Sequence, residues 1–272
     1  MGELARLVAL DVDGTLVDVG DVISDPVRGE VRRLAAQPGT HIVVATGREL
    51  LGVLPVMAQL GLADAYLVCS NGAVTVRLSA DGAAGPDSDL PAYDVVDLVT
   101  FDATAAVELL RQHLPDAVYA VEVLGVGFRV TGPFPDGELP GELTQVRFDE
   151  LTAEPVTRVV VRSPEHTPEH FLELVARIGL HGVNYAVGWT AWLDLAPEGV
   201  SKASALEQVR RTLGVQPDQT YAAGDGRNDV EMIQWAAHGA VMSSAPPEVL
   251  ALADEVLPHV NQDGLVQLLR RL

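Results

Sequence analysis

Lysine is nearly missing from this 272-residue chain: Lys202 stands alone among 18 basic residues, and every other one is arginine. Cysteine is as scarce. Cys69 is the single thiol, so no intrachain disulfide can form and a reducing cytoplasm is the expected setting. Its place in the apolar run Tyr66-Leu-Val-Cys69 reads as a buried strand position. Positive charge is also short, giving a formal net charge of −20. That excess sets aside nucleic acid and anionic membrane as partners, since either polyanion would be repelled. It does not set aside a small anion, because a bound divalent cation and a few local donors reverse the field inside one cleft. No apolar run reaches the roughly 18–20 residues that a membrane span requires, and Asp11 and Asp13 interrupt the region a signal peptide would need. A soluble protein is expected.

What is present is globular in composition, with 48% hydrophobic and 21% charged residues. The length suits one large domain or two modest ones. Leu4 to Leu10 is a short apolar run that breaks at Asp11-Val-Asp-Gly-Thr15, the pattern of a buried parallel strand ending in a polar loop. Pro26 to Ala36 reads as a helix with Asp25 as its N-cap. His41–Ala45 is a second buried strand that ends on Thr46-Gly47-Arg48. A helix near Glu49–Leu60 leads to a third strand, Tyr66–Cys69, followed by Ser70-Asn71-Gly72. In a doubly wound sheet such loops fall at the carboxyl ends of the strands, where ligands bind.

After about Val76 the rhythm changes. Residues 80–91, rich in Gly, Pro and Asp, read as a loop or hairpin tip. From there to about Gly188, β-type runs (Ala117–Val123, Gly127–Val130, Arg158–Val161, Val183–Val187) mix with helical stretches at Ala103–His113 and Pro168–Ile178. Alternation resumes with a helix at Val200–Leu213, a strand at Thr220–Ala223, a helix at Asp229–Ala236 and a strand at Ala240–Met242; Pro246–Ala253 and Gly264–Arg271 read as helices. The expectation is an α/β protein: a doubly wound, Rossmann-like, mostly parallel core from residues 1–78 and 189–272, enclosing an inserted α+β domain at 79–188.

Four segments carry chemistry. In Asp11-Val-Asp13-Gly14-Thr15 two carboxylates at i, i+2 converge if the chain curls at Gly14, and convergent oxygens suit a hard cation such as Mg²⁺. A carboxylate can also attack phosphorus and split hydrolysis into two easier steps. An acidic hairpin turn would use the same letters. Thr46 and Gly47 offer a hydroxyl and a backbone N–H to a phosphate oxygen, although a helix N-cap explains Thr46 equally well and Arg48 reads as a solvated first-turn residue. Lys202, in a chain that otherwise uses arginine, suggests a place where a compact ammonium fits and a planar guanidinium does not, suited to pairing with a carboxylate and a phosphate oxygen together; a chance surface lysine would read the same. Gly224-Asp225-Gly-Arg-Asn228-Asp229 sets two acids at i, i+4 after another strand, again in the manner of a metal site.

In this order the segments resemble the haloacid dehalogenase superfamily, closest to its Cof-type sugar phosphatases, whose class IIB caps are inserted after the third strand. The DxDGT, TGR, SNGA, single-Lys and GDxxND segments span the core, roughly 4–78 and 189–272; the insert matches only in location and size. The resemblance implies a Mg²⁺-dependent phosphatase acting on a small-molecule phosphate ester. Asp11 would be nucleophile and metal ligand; Asp13 would be general acid and then base, also binding Mg²⁺ through its backbone carbonyl. Thr46, Gly47 and Lys202 would hold the phosphoryl oxygens, with Asn71 beside them. Asp225 would complete the metal ligands, and Asn228 and Asp229 would orient that shell. Gly226 replaces a frequent Ser, and Ser243-Ser244 stands where a Gly-Asn pair is usual, which puts in doubt any substrate contact from that loop. Two other readings stay open, a hexose phosphomutase and a catalytically silent phosphometabolite sensor. Arg129, Arg147, Arg158 and Arg162 of the insert are cations that could meet a second anionic group on the substrate.

Overall fold

Four successive residues of the first strand, Leu7 to Leu10, are wholly buried. Alternate side chains go to opposite layers: Val8 and Leu10 join one apolar cluster, Leu7 and Ala9 another. A strand covered on both faces belongs in the middle of a parallel sheet with helices above and below. The computed structural model describes residues 5–83, 90–163, 166–187 and 191–272. Along the first part of the chain lie β1 (Arg6–Leu10), α1 (Asp25–Ala35), β2 (Thr40–Ala45), α2 (Leu50–Leu60), β3 (Tyr66–Cys69), β4 (Val74–Ala83) and β5 (Tyr93–Leu98). The middle holds α3 (Thr104–His113), β6 (Val118–Val123), β7 (Gly127–Val130), β8 (Glu142–Gln145), α4 (Phe148–Leu151), β9 (Val159–Arg162), α5 (Pro168–Ile178), β10 (Val183–Val187) and β11 (Trp192–Pro197). The last part holds α6 (Lys202–Thr212), β12 (Thr220–Gly224), α7 (Val230–Trp235), β13 (His238–Met242), α8 (Pro247–Leu250), β14 (Glu255–Leu257) and α9 (Leu265–Leu269).

The strands form an eight-stranded sheet, ordered β14-β13-β12-β1-β2-β3-β4-β5, and a six-stranded sheet, ordered β10-β11-β9-β6-β7-β8. In the larger sheet every pair from β14 to β3 is parallel, and only β4 and β5 are added antiparallel. Side chains of α1, α2 and α9 pack on one face, and those of α6, α7 and α8 on the other. This is the doubly wound α/β core expected from the sequence, with a mostly antiparallel sheet inserted between its strands. Chain order reverses at β1, which has β2 on one side and β12 on the other, so the loops after these strands flank the crevice where such sheets bind ligands.

Pairing in the larger sheet runs on past residue 78 to Leu98, through the β4–β5 hairpin; of the loop expected at 80–91, residues 84–89 lie outside the described residues. The helix expected at Pro26 is capped by Ser24, whose hydroxyl accepts from Val27 N–H, and Asp25 is the first helical residue. Thr46 caps no helix: α2 starts at Leu50 and is capped by the Glu49 carboxylate, which accepts from Gly52 N–H at 2.7 Å. No described helix is long and apolar enough to cross a membrane.

In the six-stranded sheet the alternation of side chains again decides the layers. Tyr119, Val121, Val159 and Val161 face α3 and α5. The opposite face of those strands carries Ala120, Phe128, Val130 and Val160, with Trp192 packed beside them, and no helix covers it among the described residues. By period-2 alternation the same face also carries Glu122, Arg158 and Asp194; Glu122 reaches across to Ser70 and Arg158 to Glu49 of the core, while Asp194 backs Arg158.

Candidate active site

The larger sheet brings the motif loops to one end. Asp11 follows β1, Thr46 follows β2, Ser70 follows β3, and Asp225 follows β12. The β1 and β12 loops meet because Gly14 has φ +75° and no side chain: a Cβ there would stand 2.1 Å from Asp225 Oδ2. Gly72 makes a similar approach on the other flank, where a Cβ would be 2.2 Å from the Ser201 carbonyl, so the loop after β3 lies against the start of α6. Ser201 caps that helix, accepting from Ser204 N–H, and Lys202 is its first residue.

Lys202 is 1% exposed and its Nζ donates to Asp11 Oδ1 and to Asp229 Oδ1, each at 2.6 Å. The other Asp229 oxygen accepts from the backbone N–H groups of Asp225 (3.0 Å) and Gly226 (2.8 Å). Both oxygens of Asp229 are thereby engaged by protein donors, whereas no other described residue donates to those of Asp225 and only one of Asp11's accepts from Lys202. Asp11, Asp225 and Asp229 each present a carboxylate oxygen within 4.8 Å of the others. An all-oxygen set of this kind fits Mg²⁺ in the chemistry of its donors. Burial pushes the Asp11 carboxyl well above the usual range and Asp229 pushes it further, against the opposing pull of Lys202. Burial likewise raises Asp225, to about 7, again with help from Asp229. Burial alone would lower the Lys202 ammonium, but Asp11 and Asp229 outweigh it and hold the group charged. Three acids against one ammonium leave negative charge that a divalent cation would balance.

Asp13 is brought to the same cavity, with its carboxylate held by Arg48: Nε donates to Oδ2 at 2.9 Å and Nη2 to Oδ1 at 2.5 Å. Arg48 also donates to Asp21 at 2.5 Å, and its side chain is only 20% exposed, so it is no solvated helix residue. The Thr46 hydroxyl accepts from Arg48 N–H at 3.0 Å, which leaves its own hydrogen free to donate. Asn71, at φ +53°, accepts from Asn228 Nδ2 at 3.0 Å, linking the loops after β3 and β12. Gly47 lines the cavity beside Asp11 and Asp225.

The cavity, about 300 Å³, opens between the two sheets. Its far wall contains residues that sequence reasoning passed over: Glu138, Leu139, Trp192 and Asp194. Arg158 is there too, donating through Nε to Asp194 at 2.6 Å and through Nη1 to Glu49 at 3.4 Å, with all three side chains largely buried. A second tie between the sheets is Glu122, whose Oε2 accepts from the hydroxyls of Ser70 (2.6 Å) and Thr157 (3.0 Å). Its Oε1 is buried without a partner, and burial pushes its carboxyl up. A lone acid at alternate-residue spacing in a strand gives no sequence signal of this kind.

A doubly wound core with an acid–lysine cluster at its switch point, faced by an inserted sheet, is an arrangement suited to phosphoryl transfer. A family model described as haloacid dehalogenase-like hydrolase matches residues 8–269, and the chain belongs to that family, with the Cof-type architecture. The HMP-PP phosphatase of Serratia proteamaculans is 29% identical, over 97% of this chain and 94% of its own. The 5-amino-6-(5-phospho-D-ribitylamino)uracil phosphatase of Bacillus subtilis is 25% identical, again over 97% and 94%. Among solved structures, the subclass IIB sugar phosphatase BT4131 superposes with a TM-score of 0.77 at 21% identity, covering 98% of each chain. The chain is thus a phosphatase of the haloacid dehalogenase superfamily, a phosphoric monoester hydrolase.

Proposed function

We propose that the protein is a Mg²⁺-dependent phosphatase of a small phosphate ester, of the sugar-phosphate kind, and that it works through an aspartyl-phosphate on Asp11. The observation that carries this reading is the buried cluster in which one ammonium bridges Asp11 and Asp229 beside Asp225. Asp11 attacks phosphorus, and the bond to the leaving oxygen breaks as Asp13 gives that oxygen its proton. Asp13 then takes a proton from water, whose oxygen attacks the acyl-phosphate and restores Asp11. Lys202, Thr46 and Gly47 receive the charge on the phosphoryl oxygens, with Asn71 beside them; Asn228 and Asp229 steady the loop. Asp11, Asp225 and the Asp13 backbone carbonyl would hold Mg²⁺, which would supply charge neutralisation of the transferring group. Positioning and charge account for nearly all of such catalysis. We assign the unit at 79–188 the role of a cap that closes over the leaving group. The relatives named as phosphatases of phosphorylated metabolites, and the sugar phosphatase of like fold, support this substrate range.

The test is phosphate release from a panel of phosphorylated metabolites with and without Mg²⁺, for wild type and Asp11→Asn. Metal-dependent turnover that the substitution abolishes is expected. Turnover that persists in Asp11→Asn, or that is indifferent to chelator, overturns the mechanism.

A further inference from the structure

The cavity leaves open which side of a phosphate ester the inserted sheet recognises, and its charges narrow the answer. Four arginines of the insert could have met a second anion, yet each is engaged by a carboxylate: Arg129 with Glu154, Arg147 with Asp149, Arg158 with Asp194 and Glu49, Arg162 with Glu138. Of these only Arg158 lines the active-site cavity, and it is shared between two acids. The other two guanidiniums lining it also face acids, Arg48 meeting Asp13 and Asp21, and Arg227 meeting Glu248 in an exposed pair at the rim. On the adjoining side, a hollow of about 570 Å³ adds Glu231 and Glu248 and no further cation beyond Arg227 and Lys202 among the described residues.

The acids at the far wall differ in what they can still do. Asp194 is spent, with one oxygen on Arg158 and the other on Trp192 Nε1 at 3.1 Å. Glu138 is held more loosely: its two oxygens share the single Arg162 Nε–H at 3.4 and 3.3 Å, which leaves acceptor positions open, and its side chain is 27% exposed on the cavity. Trp192 is fixed between Asp194 and an edge-on contact with Phe134, so it is a preformed aromatic wall. An acceptor carboxylate and an apolar ring together receive a hydroxylated or aminated carbon skeleton, whereas a second phosphate or carboxylate would meet Glu138 in a cavity whose lining arginines each already face an acid.

We infer that the cleft selects monophosphates whose leaving group is a polyol or amino-polyol, and rejects those carrying a second anionic group, with Glu138 as the residue that discriminates by charge. The inference rests on the phosphatase reading above. It also counts against the mutase alternative, whose sugar bisphosphate would need a free cation away from Lys202.

The experiment compares kcat/KM of the full-length protein with Mg²⁺ for glucose 6-phosphate, glucosamine 6-phosphate, 6-phosphogluconate and glucose 1,6-bisphosphate, with p-nitrophenyl phosphate as a control. The two neutral or cationic leaving groups should exceed the two anionic ones by tenfold or more. Glu138→Gln, which removes the acid and releases Arg162, should raise the anionic-to-neutral ratio about tenfold. Equal or greater efficiency on the anionic pair, or a ratio that Glu138→Gln does not move, overturns the inference while leaving the phosphatase reading standing. Failure to hydrolyse even p-nitrophenyl phosphate sinks the phosphatase reading, and this one with it.

Discussion

Lys202 occupies a space in which an ammonium can touch two carboxylates at 2.6 Å without exposure to solvent. A guanidinium keeps the charge and loses the fit, being planar and longer in reach. Lys202→Arg should therefore fold and still lose about 10²–10³-fold in kcat, the scale seen when one preorganised charge donor is removed; steady-state kinetics on p-nitrophenyl phosphate would check it. Gly14 makes a different demand. Its positive φ and the 2.1 Å that a Cβ would have to Asp225 mean that Gly14→Ala must push the β12 loop away. Displacing Asp225, the proposed ligand, should weaken Mg²⁺ binding about 10–100-fold, in the range found when a ligand's support is lost, measured by titrating activity against Mg²⁺.

The helix-free face of the six-stranded sheet is the element that turns a core into an enclosed site. Glu122 on β6 takes hydroxyls from Ser70 of the larger sheet and Thr157 before β9, tying the loop of Asn71 to the insert. Because burial raises its pKa in the folded protein, folding favours the protonated acid. That contribution is complete below the unfolded value near 4.5 and is lost as pH rises through the raised folded value. Glu122→Gln keeps an acceptor for both hydroxyls and removes the titration. Its Tm should gain on wild type between pH 5 and pH 8; a difference that stays flat across that range would remove Glu122 as a pH-sensitive tie. Strands of both sheets show where periodicity is a weak guide. β8 is four exposed residues, β5 is nearly all exposed, and β14 has three residues, so none presents an apolar alternation to read. β11 hides for another cause, since Asp194 and Pro197 interrupt a run that only its neighbours on both sides make a strand.

At the scale of the molecule the core and the inserted sheet are pinned by a buried trio, Glu49 at the start of α2 with Arg158 and Asp194 of the smaller sheet. Removing the cation strands two buried acids, so Arg158→Ala should cost about 3–5 kcal/mol. At about 2–4 °C per kcal/mol, the drop in Tm should be on the order of 10 °C, and thermal melting would read it. The doubly wound core and its carboxyl-end loops were legible in the sequence because they are local: buried runs such as Val8–Leu10 and Val43–Ala45 are continuous, and each breaks into a short polar motif. The candidate acids were legible for the same reason: Asp11, Asp13 and Asp225 each sit in a segment whose spacing has chemical meaning, and the fold brings all three to one cavity. The far wall was not. Glu138, Trp192 and Asp194 lie between 120 and 190 residues away from Asp11 along the chain, in segments with no motif, and they meet it only when one face of an inserted sheet is laid over the core. The pairing of every cavity-lining arginine was beyond sequence for a related reason: whether a cation is free depends on which carboxylate the fold sets beside it, and that is a distance, which spacing along a chain does not contain.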